Sequence, residues 1–260
     1  MDTLVLKLVL TPTIIGMASL AGRRWGPAIS GWLVGLPFTS GPIALFLALA
    51  HGTTFAAAAA VGTLAGTISP AAFCVTYAWL ARYGWPIAIT GGFAVFAVVT
   101  ALLQSLPLTL PLALPLVVIG LIAAIWLMPR RSESTNTASV PPPAWDLPAR
   151  MIVATAFVLL LTAGAPMLGP QLTGLLSPFP LFASILAVFA HHQVGSQAAM
   201  NVLRGLLLGL FAFTGFFSVL SALLVTFGIT ISFIAALVTA LLIQGSSLWL
   251  MRRAAKNASK

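Results

Sequence analysis

Apolar runs of membrane-crossing length follow one another along nearly the whole chain, and this constrains the fold more than any other feature. A helix needs about 20 apolar residues to cross a bilayer. Nine such runs can be drawn, at roughly 4–21, 29–50, 56–81, 86–105, 108–128, 150–168, 171–190, 198–224 and 229–250. Only 6% of the residues are charged, against about 25% in a soluble domain. Domain counting by length therefore gives way to span counting, and the expected fold class is an all-α polytopic membrane protein with about nine transmembrane helices.

The basic residues fix an expected orientation. With the N-terminus outside, Arg23, Arg24, Arg82, Arg130, Arg131, Arg150, Arg204, Arg252, Arg253, Lys256 and Lys260 all fall on the cytoplasmic side, and only Lys7, near Asp2, falls outside. Such one-sidedness is the positive-inside pattern. It favours an odd number of spans, because an even number would return the basic tail to the side of the N-terminus. Trp25, Trp79, Trp85, Trp126, Trp145 and Trp249 lie near the same ends, as an interfacial belt does. The expected location is the plasma (inner) membrane, multi-pass, with the C-terminus cytoplasmic. The net charge of +9 is spread between spans rather than clustered with aromatics, so no nucleic-acid partner is expected. The N-terminus lacks a basic region ahead of its apolar run and reads as a retained span rather than a signal peptide.

One motif occurs twice. Residues 26–38 read GPAISGWLVGLPF and residues 169–179 read GPQLTGLLSPF. The correspondence continues from ALFLALAH, ending at His51, to ASILAVFAH, ending at His191, and from AAVGTLAG (59–66) to AAMNVLRG (198–205). The copies occupy spans one to four and six to nine, and the fifth span, with Pro107, Pro111 and Pro115, joins them. Corresponding spans are five apart, an odd number, so they cross in opposite directions. The expectation is two inverted four-helix repeats: 1–106 as the first, 107–128 as the linking helix, and 149–260 as the second with a short basic tail. Between them, 129–148 is polar and proline-rich and reads as a flexible cytoplasmic linker.

Both copies carry prolines near a span centre. Proline removes a donor and clashes with the preceding turn, so PFTSGP (37–42) and SPFP (177–180) should unwind spans two and seven. Thr39 or Ser40 is expected to cap a new half-helix with Pro42 in its first turn, and Ser177 to do the same ahead of Pro178. Half-helix N-termini present free N–H groups and positive dipole ends. Paired breaks at matching positions of two halves point to a transport site; kinks satisfied by neighbouring helices are the plainer reading.

The eighth span opens with Gln197, Asn201 and Arg204 on one helix face. Arg204 either contacts an anion or runs its long stem back to the membrane surface. The candidate substrate-binding set is thus Thr39, Ser40, Gly41, Ser177, Phe179, Gln197, Asn201 and Arg204. Gly62, Gly66, Gly205 and Gly209 read as packing positions. His51, His191 and His192 sit at span ends and suggest no metal site, and Cys74 has no partner for an intrachain disulfide. The three acids, Asp2, Glu133 and Asp146, all lie outside the spans, which argues against an acid-centred antiporter. No nucleotide, zinc-protease or nucleophile-elbow motif is present, so neither catalytic residues nor a cofactor are expected.

In these respects the plan resembles small secondary transporters built from inverted repeats with discontinuous helices. The resemblance implies alternating access, and a site with half-helix N-termini and Arg204 but no acid favours a small anionic or zwitterionic solute. A lipid or polyprenyl-phosphate flippase shares the architecture, with a lipid headgroup as its substrate, and a non-transporting membrane subunit of a larger complex would use the linker for docking. Membrane lipids are expected partners, and a homo-oligomer is compatible with the chain.

Overall fold

The computed structural model describes residues 5–14, 16, 36–129 and 146–258, with the backbone alone at 146, 150 and 247–258. These residues are helical, without strands. The elements are α1 (Val5–Ile14), α2 (Ser40–Gly66), α3 (Ile68–Leu80), a 3₁₀ turn (Ala81–Tyr83), α4 (Trp85–Gln104), α5 (Leu110–Leu127), α6 (Asp146–Leu176), α7 (Leu181–Gln193) and α8 (Ser196–Ala258). Five helical runs are long and apolar enough to cross a membrane: Ser40–Tyr83, Trp85–Gln104, Leu110–Leu127, Leu147–Leu176 and Ser196–Ser246. Their outward faces carry many large apolar side chains. Met167 is 92% exposed, Leu160 74% and Leu242 69%. Surface of this kind is stable against lipid and costly against water.

Five is fewer than the nine expected spans, for two physical reasons. First, α1 and α7 are too short in the described residues to count. Second, some long runs are folded back. Ser40 and Gly66, the two ends of α2, both lie against residues 175–178: Ser40 Oγ donates to the Ser177 carbonyl, and a Cβ on Gly66 would stand 3.1 Å from Pro178 Cγ. The chain therefore leaves this point and returns to it. The reversal is at Gly52, whose φ of 85° and ψ of 168° interrupt the helix. Gly228 (φ 73°) folds α8 in the same way, since Gly215 on one arm meets Thr239 and Ile243 on the other. Gly169 (φ 74°) breaks α6. Nothing lies within 4 Å of a Cβ built at any of the three, so it is the backbone conformation, not space, that calls for glycine there. All three fall in gaps between expected spans, at 50–56, 168–171 and 224–229.

The core runs through α2, which packs most extensively on α6 and α8, while α3 lies on α4 and α7 on α8. α5 contributes one narrow buried stripe, Ala113, Val117, Leu121 and Ala124. α6 begins at Asp146 and so takes in the last three residues of the linker drawn from composition; an acidic residue and Pro148 both suit a first helical turn. Residues 130–145 of the linker and 17–35 of the first copy lie outside the described residues, and with the latter much of the comparison between copies.

Candidate functional site

The two proline segments meet. In the first, the Phe38 amide donates to the Leu36 carbonyl at 2.8 Å around Pro37, and Gly41 N–H closes onto the Pro37 carbonyl. α2 then starts at Ser40 with Pro42 in its first turn. In the second, α6 ends at Leu176, and the Phe179 amide donates to the Leu176 carbonyl. The Leu181 amide donates to the Phe179 carbonyl across Pro180 (φ −80°, ψ 51°), an inverse γ-turn. Ser40 Oγ bridges the segments at 2.9 Å to the Ser177 carbonyl, 137 residues away in sequence. Both serines are 1% exposed.

The expected caps do not form. Thr39 holds the N-cap position of α2 but makes no side-chain cap bond. Ser177 does not start a half-helix ahead of Pro178: the helix resumes only at Leu181. A proline disfavours helical backbone in the residue before it, so Pro178 and Pro180 together exclude both Ser177 and Phe179. Ser177 Oγ is left buried with no hydrogen-bond partner among the described residues, an arrangement that costs about 1–3 kcal/mol.

Backbone contact seats the second segment. A Cβ on Gly62 would lie 2.6 Å from the Gln171 carbonyl, and one on Gly174 would lie 2.1 Å from the Ala59 carbonyl. Only residues without Cβ allow this approach. Gln171 also donates through Nε2 to the carbonyls of Gln104 and Leu106, both at 3.1 Å, at the end of α4. Phe179 stands in an aromatic cluster, stacked on Phe93 (5.2 Å) and edge-on to Phe96 (5.1 Å), with Phe157 at 5.9 Å. Sequence reasoning missed Gln171 and these three rings; the i, i+3 spacing of Phe93 and Phe96 was the available signal.

The eight candidate residues do not form one site. Thr39, Ser40, Gly41, Ser177 and Phe179 gather at the paired breaks. The thirteen residues of α7, about 20 Å of helix, separate that point from the start of α8. Here Gln197 lines a cavity of about 280 Å³ with Trp79, Arg82, Pro129, Ser196 and Met200. Asn201 is exposed. Arg204 lies two turns along α8, and its Nη2 donates to the Pro129 carbonyl. Helical side chains lean toward the helix N-terminus, so the guanidinium is carried back to the cavity end rather than on toward the breaks.

A cation omitted from the candidate set points inward. Lys7 donates through Nζ to Thr162 Oγ1 at 2.9 Å and stands 5.6 Å from the centre of the Phe46 ring. Phe46 belongs to the arm of α2 that starts at the first break. One turn beyond Lys7, Thr11 is fully buried with its hydroxyl unpartnered among the described residues. His191 Nδ1 lies 3.2 Å from the Tyr77 hydroxyl. Among the described residues, no group of three or more His, Cys, Asp or Glu is placed to hold a metal. Compared with known proteins, the chain matches no family model, no curated protein and no solved structure.

Proposed function

We propose that this protein is an integral membrane carrier that moves a small anionic or zwitterionic solute by alternating access between two inverted repeats. The observation that carries the reading is the hydrogen bond between Ser40 and Ser177, which joins the two proline breaks across the halves. In the proposed topology the glycine turns at 52, 169 and 228 separate adjacent spans. α1, the arm of α2 before Gly52, the interrupted pair 170–176 and 181–193, and the arm of α8 after Gly228 supply the four spans missing from the simple length count. Arg82, Pro129 and Ser196 then mark the cytoplasmic end, and the breaks lie near the midplane. Two helices starting there, at Ser40 and Leu181, turn positive dipole ends toward a substrate carboxylate or phosphate. The unpartnered Ser177 hydroxyl is the group held for that substrate.

Cysteine accessibility tests this reading. Cys74 is fully buried, so Cys74→Ala is a better background than a change that adds a hydroxyl to the core. Single cysteines at Thr39 and Ser177 are exposed to a membrane-impermeant maleimide from each side, with and without acetate, inorganic phosphate or glutamate. Labelling that changes with one of these anions supports the carrier. Failure to label from either side, with every anion tried, means that the breaks are packed kinks.

A further inference from the structure

We infer that the cavity at the Arg82 end binds a phosphate-bearing anionic headgroup. This inference stands whether or not the protein is a carrier. The cavity, at about 280 Å³, lies at the lower edge of ligand pockets, about 300–1,000 Å³. It suits a headgroup better than a larger solute. Its lining offers donors. Arg82 supplies a guanidinium whose planar fork matches phosphate oxygens two at a time. Ser196 adds a hydroxyl, and Gln197 a side-chain amide. Ser196 and Gln197 also form the first turn of α8, where backbone N–H groups have no helical acceptor. No carboxylate lines the cavity among the described residues.

Two details prepare the site. Arg82 lies with its guanidinium carbon 4.6 Å from the Tyr83 ring centre. Stacking of this kind occupies the face of the guanidinium and leaves its N–H edges for a ligand. The Pro129 carbonyl would repel an anion, but it already accepts the Arg204 Nη2 bond. Arg204 thus masks the acceptor and brings a second cation to the rim. Depth is set by the surrounding aromatics. Trp79 and Tyr83 are exposed, as is Trp126, and Trp79 Nε1 donates to the Leu127 carbonyl at 2.9 Å. Exposed Trp and Tyr mark the boundary between lipid and water, where lipid phosphates lie.

The test is native mass spectrometry of the full chain, purified in detergent with equimolar phosphatidylglycerol and phosphatidylcholine. Wild type is expected to retain phosphatidylglycerol preferentially. Arg82→Gln should reduce that preference about five-fold, the worth of roughly one cation facing an anionic headgroup, and Arg82→Lys should recover part of it. Inorganic phosphate then separates the sources of the shared chemistry. Displacement of the lipid by phosphate assigns the site to the phosphate group itself, and resistance assigns it to the intact lipid. If Arg82→Gln unfolds early, Gln197→Leu removes a cavity donor without changing charge and is expected to weaken the same preference. An unchanged lipid ratio in a folded Arg82→Gln protein places lipid binding elsewhere, such as the basic tail, and overturns the inference.

Discussion

Gly174→Ala should pry apart the two helices that bring the proline breaks together. The added Cβ would lie 2.1 Å from the Ala59 carbonyl oxygen, 2.8 Å from the Thr63 nitrogen and 2.9 Å from Gly62 Cα. All three are backbone atoms, so no side chain can swing away. Ordinary contact begins at 3.4 Å, which requires the helices to separate by about 1.3 Å at this point. Ser177 lies three residues further on, and its 2.9 Å bond from Ser40 would stretch beyond hydrogen-bonding range. Overpacking of this kind costs about 1–3 kcal/mol. At roughly 2–4 °C per kcal/mol for a chain of this size, thermal unfolding in detergent should begin roughly 2–12 °C lower. Gly62→Ala meets the Gln171 carbonyl at 2.6 Å and should act similarly. The double variant should cost less than the two singles together, because one separation makes room for both methyls. Gly164→Ala is the control: its Cβ meets only Leu168, at 3.5 Å, and as a mid-helix replacement it should stabilise by up to about 1 kcal/mol. Wild-type unfolding of Gly174→Ala, or strict additivity of the pair, would refute the argument that backbone contact seats the breaks.

Ser177→Ala removes a buried hydroxyl that has no partner among the described residues. It should leave thermal stability unchanged or slightly raised while lowering solute uptake, and unchanged uptake would remove Ser177 from the site. Ser40→Ala deletes the bond to the Ser177 carbonyl and should cost about 1 kcal/mol, read as a lower unfolding temperature. Gly52→Ala and Gly228→Ala force a side chain onto a positive-φ backbone and should each cost about 1–2 kcal/mol, although neither meets a neighbour within 4 Å. Lys7→Met breaks the bond to Thr162 while keeping most of the apolar stem. Anion uptake should fall with little change in unfolding temperature, and uptake equal to wild type would mean that Lys7 only packs.

Helical class and apolar surface were legible because both follow from composition and run length alone. The folding points were legible as gaps but not as structure. Gly52, Gly169 and Gly228 each resemble many other glycines in the chain, and only the backbone reveals their positive φ. The breaks were legible through proline, whose effect is local. The caps were not, because Ser177 stands before two prolines whose combined effect moves the helix start to Leu181. The candidate site divided for a geometric reason. Spacing placed Gln197 and Arg204 on one face of α8, but sequence gives no depth, and α7 puts a helix length between that face and the breaks. Lys7 was overlooked because its position suggested an outer residue, whereas its contacts with Thr162 and Phe46 depend on how α1 meets α2 and α6.

The pairing of the breaks follows from what proline leaves behind. Each break frees backbone carbonyls and amides in a part of the bundle lined by apolar side chains, where an unmet polar group is expensive. Most are met locally: Leu36, Pro37, Thr39, Leu176 and Phe179 all give their carbonyls to nearby amides. The Ser177 carbonyl is met instead by Ser40, a side chain 137 residues away in sequence. That choice matters for a carrier. A bond within one segment would be indifferent to movement between halves, but this one must break when they separate. Its net worth is about 1 kcal/mol, small enough for a substrate group to replace. A carboxylate or phosphate entering between the breaks could take the Ser40 hydroxyl and the unpartnered Ser177 hydroxyl together, gaining two bonds while leaving the Ser177 carbonyl for water to meet. Under the proposed function, this exchange is how binding would loosen the two halves from each other.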